Sequence, residues 1–208
     1  MKKFELTDEF ITNAFGNKLF RIKAIVDFGT IRAGELGGFV EKEENLSNDD
    51  NAWVSGNARV SDDARISGNA QVYGNASVFG NASVSDDAQV YGNARISGNA
   101  QVSGNASVFG NASVSDDARI SGNAQVYGNA DYAVVEGFGR YFRATTFFRC
   151  KDKILRVQCG CFYGDLAEFR EIVKKTHGDS KYAKEYLAIA DLMELHFSDD
   201  EGRQEAAE

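Results

Sequence analysis

The chain has 208 residues and a formal net charge of −8, a balance that argues against bulk nucleic-acid binding. Its 43 % hydrophobic and 12 % aromatic residues supply the apolar material of an ordered core and exclude a disordered polar chain. No apolar run approaches the roughly 18 residues of a membrane span and no charged-then-apolar leader opens the chain, so a cytoplasmic protein is expected, with Cys150, Cys159 and Cys161 as free thiols.

Residues 1–44 read as an N-terminal β cap. Along 19–26, Phe20, Ile22, Ala24 and Val26 alternate with Arg21 and Lys23, the period of a half-buried strand. Gly16-Asn17 suits a hairpin turn joining it to residues 9–14. Gly34, Gly37 and Gly38 predict tight turns leading to Phe39-Val40. Asn45-Leu46-Ser47 is in register with the repeats that follow, with Leu46 in their alanine slot.

From Asn51 the chain runs in hexads of the form Asn/Asp-Ala-x-Val/Ile-x-Gly/Asp, thirteen of them without a gap through Gly128. Ala and the branched residue two positions later point the same way from one short strand, and Gly-Asn or Asp-Asp then makes a corner. One such unit cannot bury its apolar side; stacking copies can. The residue after the branched one is aromatic at Tyr73, Tyr91, Phe109 and Tyr127, each 18 residues from the last. Three hexads per coil would stack these rings on one face, about 4.8 Å apart, with Trp53 as a candidate extension. This aromatic face is expected to be covered, by the C-terminal helices or by another subunit, with a homo-oligomer favoured. The spacing resembles that of the hexapeptide-repeat superfamily. That resemblance implies a left-handed parallel β-helix over residues 45–132.

After Ala130 the hexads stop. Residues 133–197 read as a ββαα domain: β-formers at 140–150 and 154–161, joined by Lys151-Asp152-Lys153, then two helices. Asp165 and Glu168 have capping-box spacing, and Leu166, Phe169, Ile172 and Val173 make a helical stripe ending at Gly178. Asp179 or Ser180 caps a second helix striped by Tyr182, Tyr186, Ile189 and Met193. Residues 198–208 form an acidic tail.

Three stretches are similar to a group of phage- and prophage-encoded hexapeptide-repeat proteins of unknown function, often labelled transferases or polymer-forming proteins. They are Phe20–Ala24 with Gly34–Glu41, Asn45–Ser47 leading into Asn51–Val54, and Cys159–Phe162 through Thr176–Asp179 to Tyr186. The resemblance implies a phage or prophage origin and the host cytoplasm. It supplies no catalytic residues.

Acyl transfer needs a general base, and the repeat block has no histidine; the chain's two, His177 and His196, lie beyond it. Zinc held by three histidines is excluded by the same count. The pairs Asp62-Asp63, Asp86-Asp87 and Asp116-Asp117 fit corner substitutions better than metal sites. Cys159-Gly160-Cys161 is too tight for the usual metal-ligand spacing, and His177 fits a helix end. No cofactor and no metal are expected, and the reading is non-enzymatic.

The strongest anomaly is charge. Arg140, Arg143, Arg149, Lys151, Lys153 and Arg156 face a single acid, Asp152, inside an acidic chain. By strand parity Arg143, Thr145, Phe147 and Arg149 share a face, a composition suited to phosphate or carboxylate recognition. These six residues are the candidate partner- or ligand-binding set. The function expected is a rigid scaffold that binds, and blocks, a host protein. The alternatives are sequestration of an anionic nucleotide-type ligand, or an acyl or nucleotide-sugar transferase acting at a subunit interface.

Overall fold

The structure is a computed structural model and describes residues 2–198. It is mainly β: a parallel solenoid with a β cap before it and a sheet with two helices after it. The acidic tail, apart from Ser198, lies outside the described residues. Among those residues no helix is long and apolar enough to cross a membrane.

Strand β1 (Phe4–Thr12) pairs antiparallel with β2 (Lys18–Ala24), and β2 with β3 (Leu36–Val40). Gly16, at φ +87°, makes the turn, while the Asn13 carboxamide oxygen accepts from the Phe15 and Asn17 amides. Irregular pairing on both sides of β2 breaks the simple alternation, so Leu19 is buried where parity selects Phe20. Gly37 and Gly38 do not form a turn. They lie within β3, which rests so closely on the first coil that a Cβ at Gly37 would meet the Val54 carbonyl at 2.6 Å.

Thirteen two-residue strands, β4 (Trp53–Val54) through β16 (Gln125–Val126), form three parallel faces. Each residue pairs with one 18 positions on, as Val72 does with Val90. Every branched residue from Val54 to Val126 is at most 1 % exposed, and every alanine from Ala52 to Ala124 at most 2 %. Burying one such Val or Ile stabilises by about 1.5–3 kcal/mol, so the repeated slot is the core. From Gly56 to Gly122 the corners are glycines at positive φ, except that Asp62, Asp86 and Asp116 take φ of 57–59° in their place, as turn chemistry allows. The carboxylates of Asp62 and Asp86 each accept the backbone N–H of the glycine one coil on, Gly80 and Gly104, at 2.9 Å. Along another corner Asn57, Asn75, Asn93 and Asn111 form an amide ladder with steps of 3.1–3.3 Å.

The first coil is two residues longer than the rest. Val40 pairs with Val60 and Leu46 with Ile66, offsets of 20 rather than 18. Leu46 therefore occupies the branched slot, not the alanine slot that simple register predicts. Asn45, fully buried, donates its amide to the Asp62 and Ala64 carbonyls.

The other end is closed by β17 (Tyr132–Val135), β18 (Thr145–Arg149), β19 (Leu155–Cys159) and β20 (Phe162–Asp165), one antiparallel sheet. The two predicted strands are its middle pair. One sheet face, through Phe148, joins the solenoid core, and the other, through Phe147 and Val157, packs on α1 (Leu166–His177) and α2 (Lys181–Phe197). The Asp165–Glu168 capping box forms at 2.8 and 2.9 Å, and Ser180 caps α2. Thr146 Oγ1 accepts the Arg119 amide and the Tyr132 hydroxyl donates to the Ser113 carbonyl, so the last coil's polar edge is partnered.

Candidate binding surface

The aromatic ladder forms at the spacing of the coils. Tyr73 and Tyr91 stack at 4.9 Å and 2°, and Tyr91 and Phe109 at 5.0 Å and 8°. Tyr127 turns edge-on, at 73°, where the chain leaves the repeats. Trp53 is not in the ladder: it occupies the hexad position before the branched residue, is buried, and packs edge-to-face on Phe28 at 5.4 Å. The helices pack on the terminal sheet, so the three stacked rings stay half-buried and Tyr127 is exposed.

The six basic residues are split among three environments. Arg149 is built into the domain: it donates to the Phe197 carbonyl at 3.0 Å, lies over the Phe197 ring, and sits 3.7 Å from the Asp131 carboxylate. Arg156 pairs with Asp152 at 2.8 Å. Lys151 and Lys153 are exposed at the β18–β19 tip, which the Lys151 amide ties to the Asn123 carbonyl at 3.1 Å. Arg140 and Arg143 stand apart, in the segment before β18. The expected common face does not form at the surface, because Thr145 and Phe147 are buried under the helices.

That segment is a fixed loop. Gly137, Gly139 and Phe142 all have positive φ, 82°, 72° and 53°, which ends any strand before Thr145. A bulky residue in that region is strained and marks a candidate functional position. The Gly139 amide donates to the Glu185 carboxylate at 3.0 Å. That bond, and then Lys181, hold the Glu185 carboxyl below its usual range. The Gly139 backbone packs on the Tyr186 hydroxyl so closely that no side chain fits between them. The loop thereby presents Tyr141 and Phe142 to solvent, 61 % and 71 % exposed. Both guanidiniums flank the Tyr141 ring, Arg140 at 5.4 Å and Arg143 at 4.9 Å.

Behind the loop lies a cleft of about 230 Å³, with Phe162, Phe169, Ile172, Val173 and Tyr186 as its apolar lining and Arg140 and Arg143 among its walls. Cys159-Gly160-Cys161, the β19–β20 turn, and Thr176-His177, at the end of α1, complete it. On the other side of Arg143 a polar cleft of about 320 Å³ reaches the solenoid at Gln101 and Arg119. Burial, and then the electrostatic influence of Cys159, push the Tyr186 phenol up to about 12. Burial also raises Tyr73, Tyr132 and Tyr163, so ultraviolet titration should show several tyrosines ionising above pH 10 and one fewer in Tyr186→Phe; an identical curve for the variant would contradict the buried phenol.

Sequence reasoning missed Gly139, Phe142, Thr176 and Tyr186 as members of a site. The one local signal was the run Phe138-Gly139-Arg140-Tyr141-Phe142-Arg143, where aromatic and basic residues alternate beside glycines.

The YdcK β-solenoid repeat matches the chain at residues 52–68, 70–86, 88–101 and 100–116, all within the hexads. This supports a repeat β-solenoid protein and covers a minority of the chain. No curated protein matches it.

Proposed function

We propose that this is a non-enzymatic binding protein, a phage or prophage accessory protein of the host cytoplasm that holds, and blocks, an acidic host protein. The observation that carries the reading is the loop from Phe138 to Arg143. Glu185 and Tyr186 hold its backbone at Gly139, and it carries two arginines and two exposed aromatic rings, each arginine lying against Tyr141. Arg and Tyr dominate binding energy at interfaces, and prior ordering reduces the entropy lost on association. The solenoid supports this as a scaffold: its core joins the terminal sheet through Phe148, which holds the loop in a fixed orientation. Lys151 and Lys153 add positive charge at the hairpin tip. The 230 Å³ cleft alone is smaller than the roughly 300–1,000 Å³ of small-molecule sites, so a whole nucleotide would also have to occupy the 320 Å³ polar cleft beyond Arg143.

Arg140→Glu with Arg143→Glu tests the reading. Both side chains are exposed, so the thermal midpoint should stay near wild type. Capture of the host protein from lysate should fall by about tenfold or more, with a weaker dependence on salt. Undiminished capture by the folded double variant would show that the partner surface lies elsewhere. Arg149 is unsuited to this test, because its removal would strip the end of α2 of a partner.

A further inference from the structure

We infer that the cleft behind the loop is a socket for the C-terminal residue of a partner chain, apolar side chain inside and α-carboxylate on Arg140 and Arg143. This rests on the protein-binding reading and specifies its contact. Size is the first argument. About 230 Å³ is below the usual size of a small-molecule site and has room for a single large side chain.

The chemistry of the walls is the second. The floor is Phe162, Phe169, Ile172 and Val173, and the Tyr186 ring, itself buried, packs beside them. A nucleobase seated on that floor would set its polar edges against apolar side chains, where they lose water without gaining partners. A Leu, Phe or Trp side chain leaves little or nothing unpaired.

Charge is the third argument. Among the described residues neither Arg140 nor Arg143 pairs with a carboxylate; each rests against the Tyr141 ring, and Arg143 also lies against Gly160. The two cations belong to the same cleft as the apolar floor. When a side chain fills the floor, the group left beside them is that residue's own backbone. An α-carboxylate puts an anion there directly, whereas the carboxylate of a neighbouring Asp or Glu would lie a residue further along. Guanidinium and carboxylate are matched in shape for paired hydrogen bonds.

The experiment uses the full chain and fluorescently labelled peptides of sequence Gly-Ser-Gly-Ser-Gly-Xaa, Xaa being Leu, Phe or Trp, each as free acid and as amide. At least one free acid should bind with a dissociation constant below about 1 mM, and its amide about tenfold more weakly. Arg140→Gln with Arg143→Gln should bring the acid down to the level of the amide. Thr176→Trp, which fills the cleft from an exposed helix position, should abolish binding of both. The inference is overturned if acid and amide bind alike, if no peptide binds by 1 mM, or if the folded glutamine pair binds the acid as wild type does. Should Thr176→Trp fail to fold, the glutamine pair still decides the matter. If the peptides fail while charge reversal still prevents capture of the host protein, the socket is wrong and the partner surface stands. If the peptides bind while capture ignores charge reversal, the socket stands and the partner surface is wrong.

Discussion

Ala76→Leu should lower the thermal midpoint by about 5–10 °C. Ala76 is fully buried and stacks between Ala58 and Ala94 in a column where every member is alanine. The three faces converge on a core already filled by valine and isoleucine, so three added carbons have no space. Overpacking costs about 1–3 kcal/mol, and for a chain of this length each kcal/mol moves the midpoint by about 2–4 °C. Gln125→Leu, at an exposed outward position of the last hexad, is the control and should shift stability by no more than about 0.5 kcal/mol. Circular dichroism melts of the two variants decide it. Equal shifts would mean that the alanine column is not space-limited.

Lys3→Met should destabilise by about 1–3 kcal/mol, the cost of leaving buried polar groups without partners. The Lys3 side chain is buried in the cap and its ammonium donates to the carbonyls of Asp49, Asp50 and Ala52, at 3.2, 3.3 and 2.9 Å. Those carbonyls belong to the long corner that closes the first coil. Methionine fills similar space and donates nothing. Burial lowers the Lys3 pKa to about 8, against the opposing attraction of Asp50 and Asp49. The unfolded chain keeps its proton to about pH 10.5 and the folded protein releases it near pH 8. Between those values unfolding takes up a proton, so raising the pH favours the folded state. The advantage of wild type over Lys3→Met should therefore be larger at pH 9.5 than at pH 7 in urea denaturation. Cys150, whose thiol burial pushes up, titrates in both proteins and cancels from the difference. A pH-independent gap would mean that the amine is not desolvated.

The hexads made the solenoid legible because the information is local and repeated. A branched residue every six positions, with alanine two before it, can be buried only by stacking. The 18-residue interval between aromatics gave the coil length before any pairing was known, and the rings stack at that interval. The corner role of Asp62, Asp86 and Asp116 followed from turn chemistry alone. Local rules failed where the repeat meets something else. Two extra residues in the first corner moved Leu46 from one slot to the other. The aromatic character of Trp53 points to the ladder, yet its hexad position puts it under the cap, against Phe28.

The sequence by itself determined a repeat β-solenoid, the identity of its buried positions, its corners, and the two helices with their caps. Only the tertiary structure decided which basic residues share a surface. Strand parity assigns Thr145, Phe147 and Arg149 to one side of β18 but does not say what lies against that side. In this fold both sides are covered, the solenoid core taking Phe148 and the helices taking Phe147, so an alternation that reads as half-exposed is fully buried. Arg149 is then recruited by the end of α2, while Arg140 and Arg143 stay out on a loop held by Glu185 and Tyr186, more than forty residues away. A cleft assembled from one loop, one β-turn and two helices depends on how those elements pack, and packing over that separation leaves no period in the chain for a sequence to display.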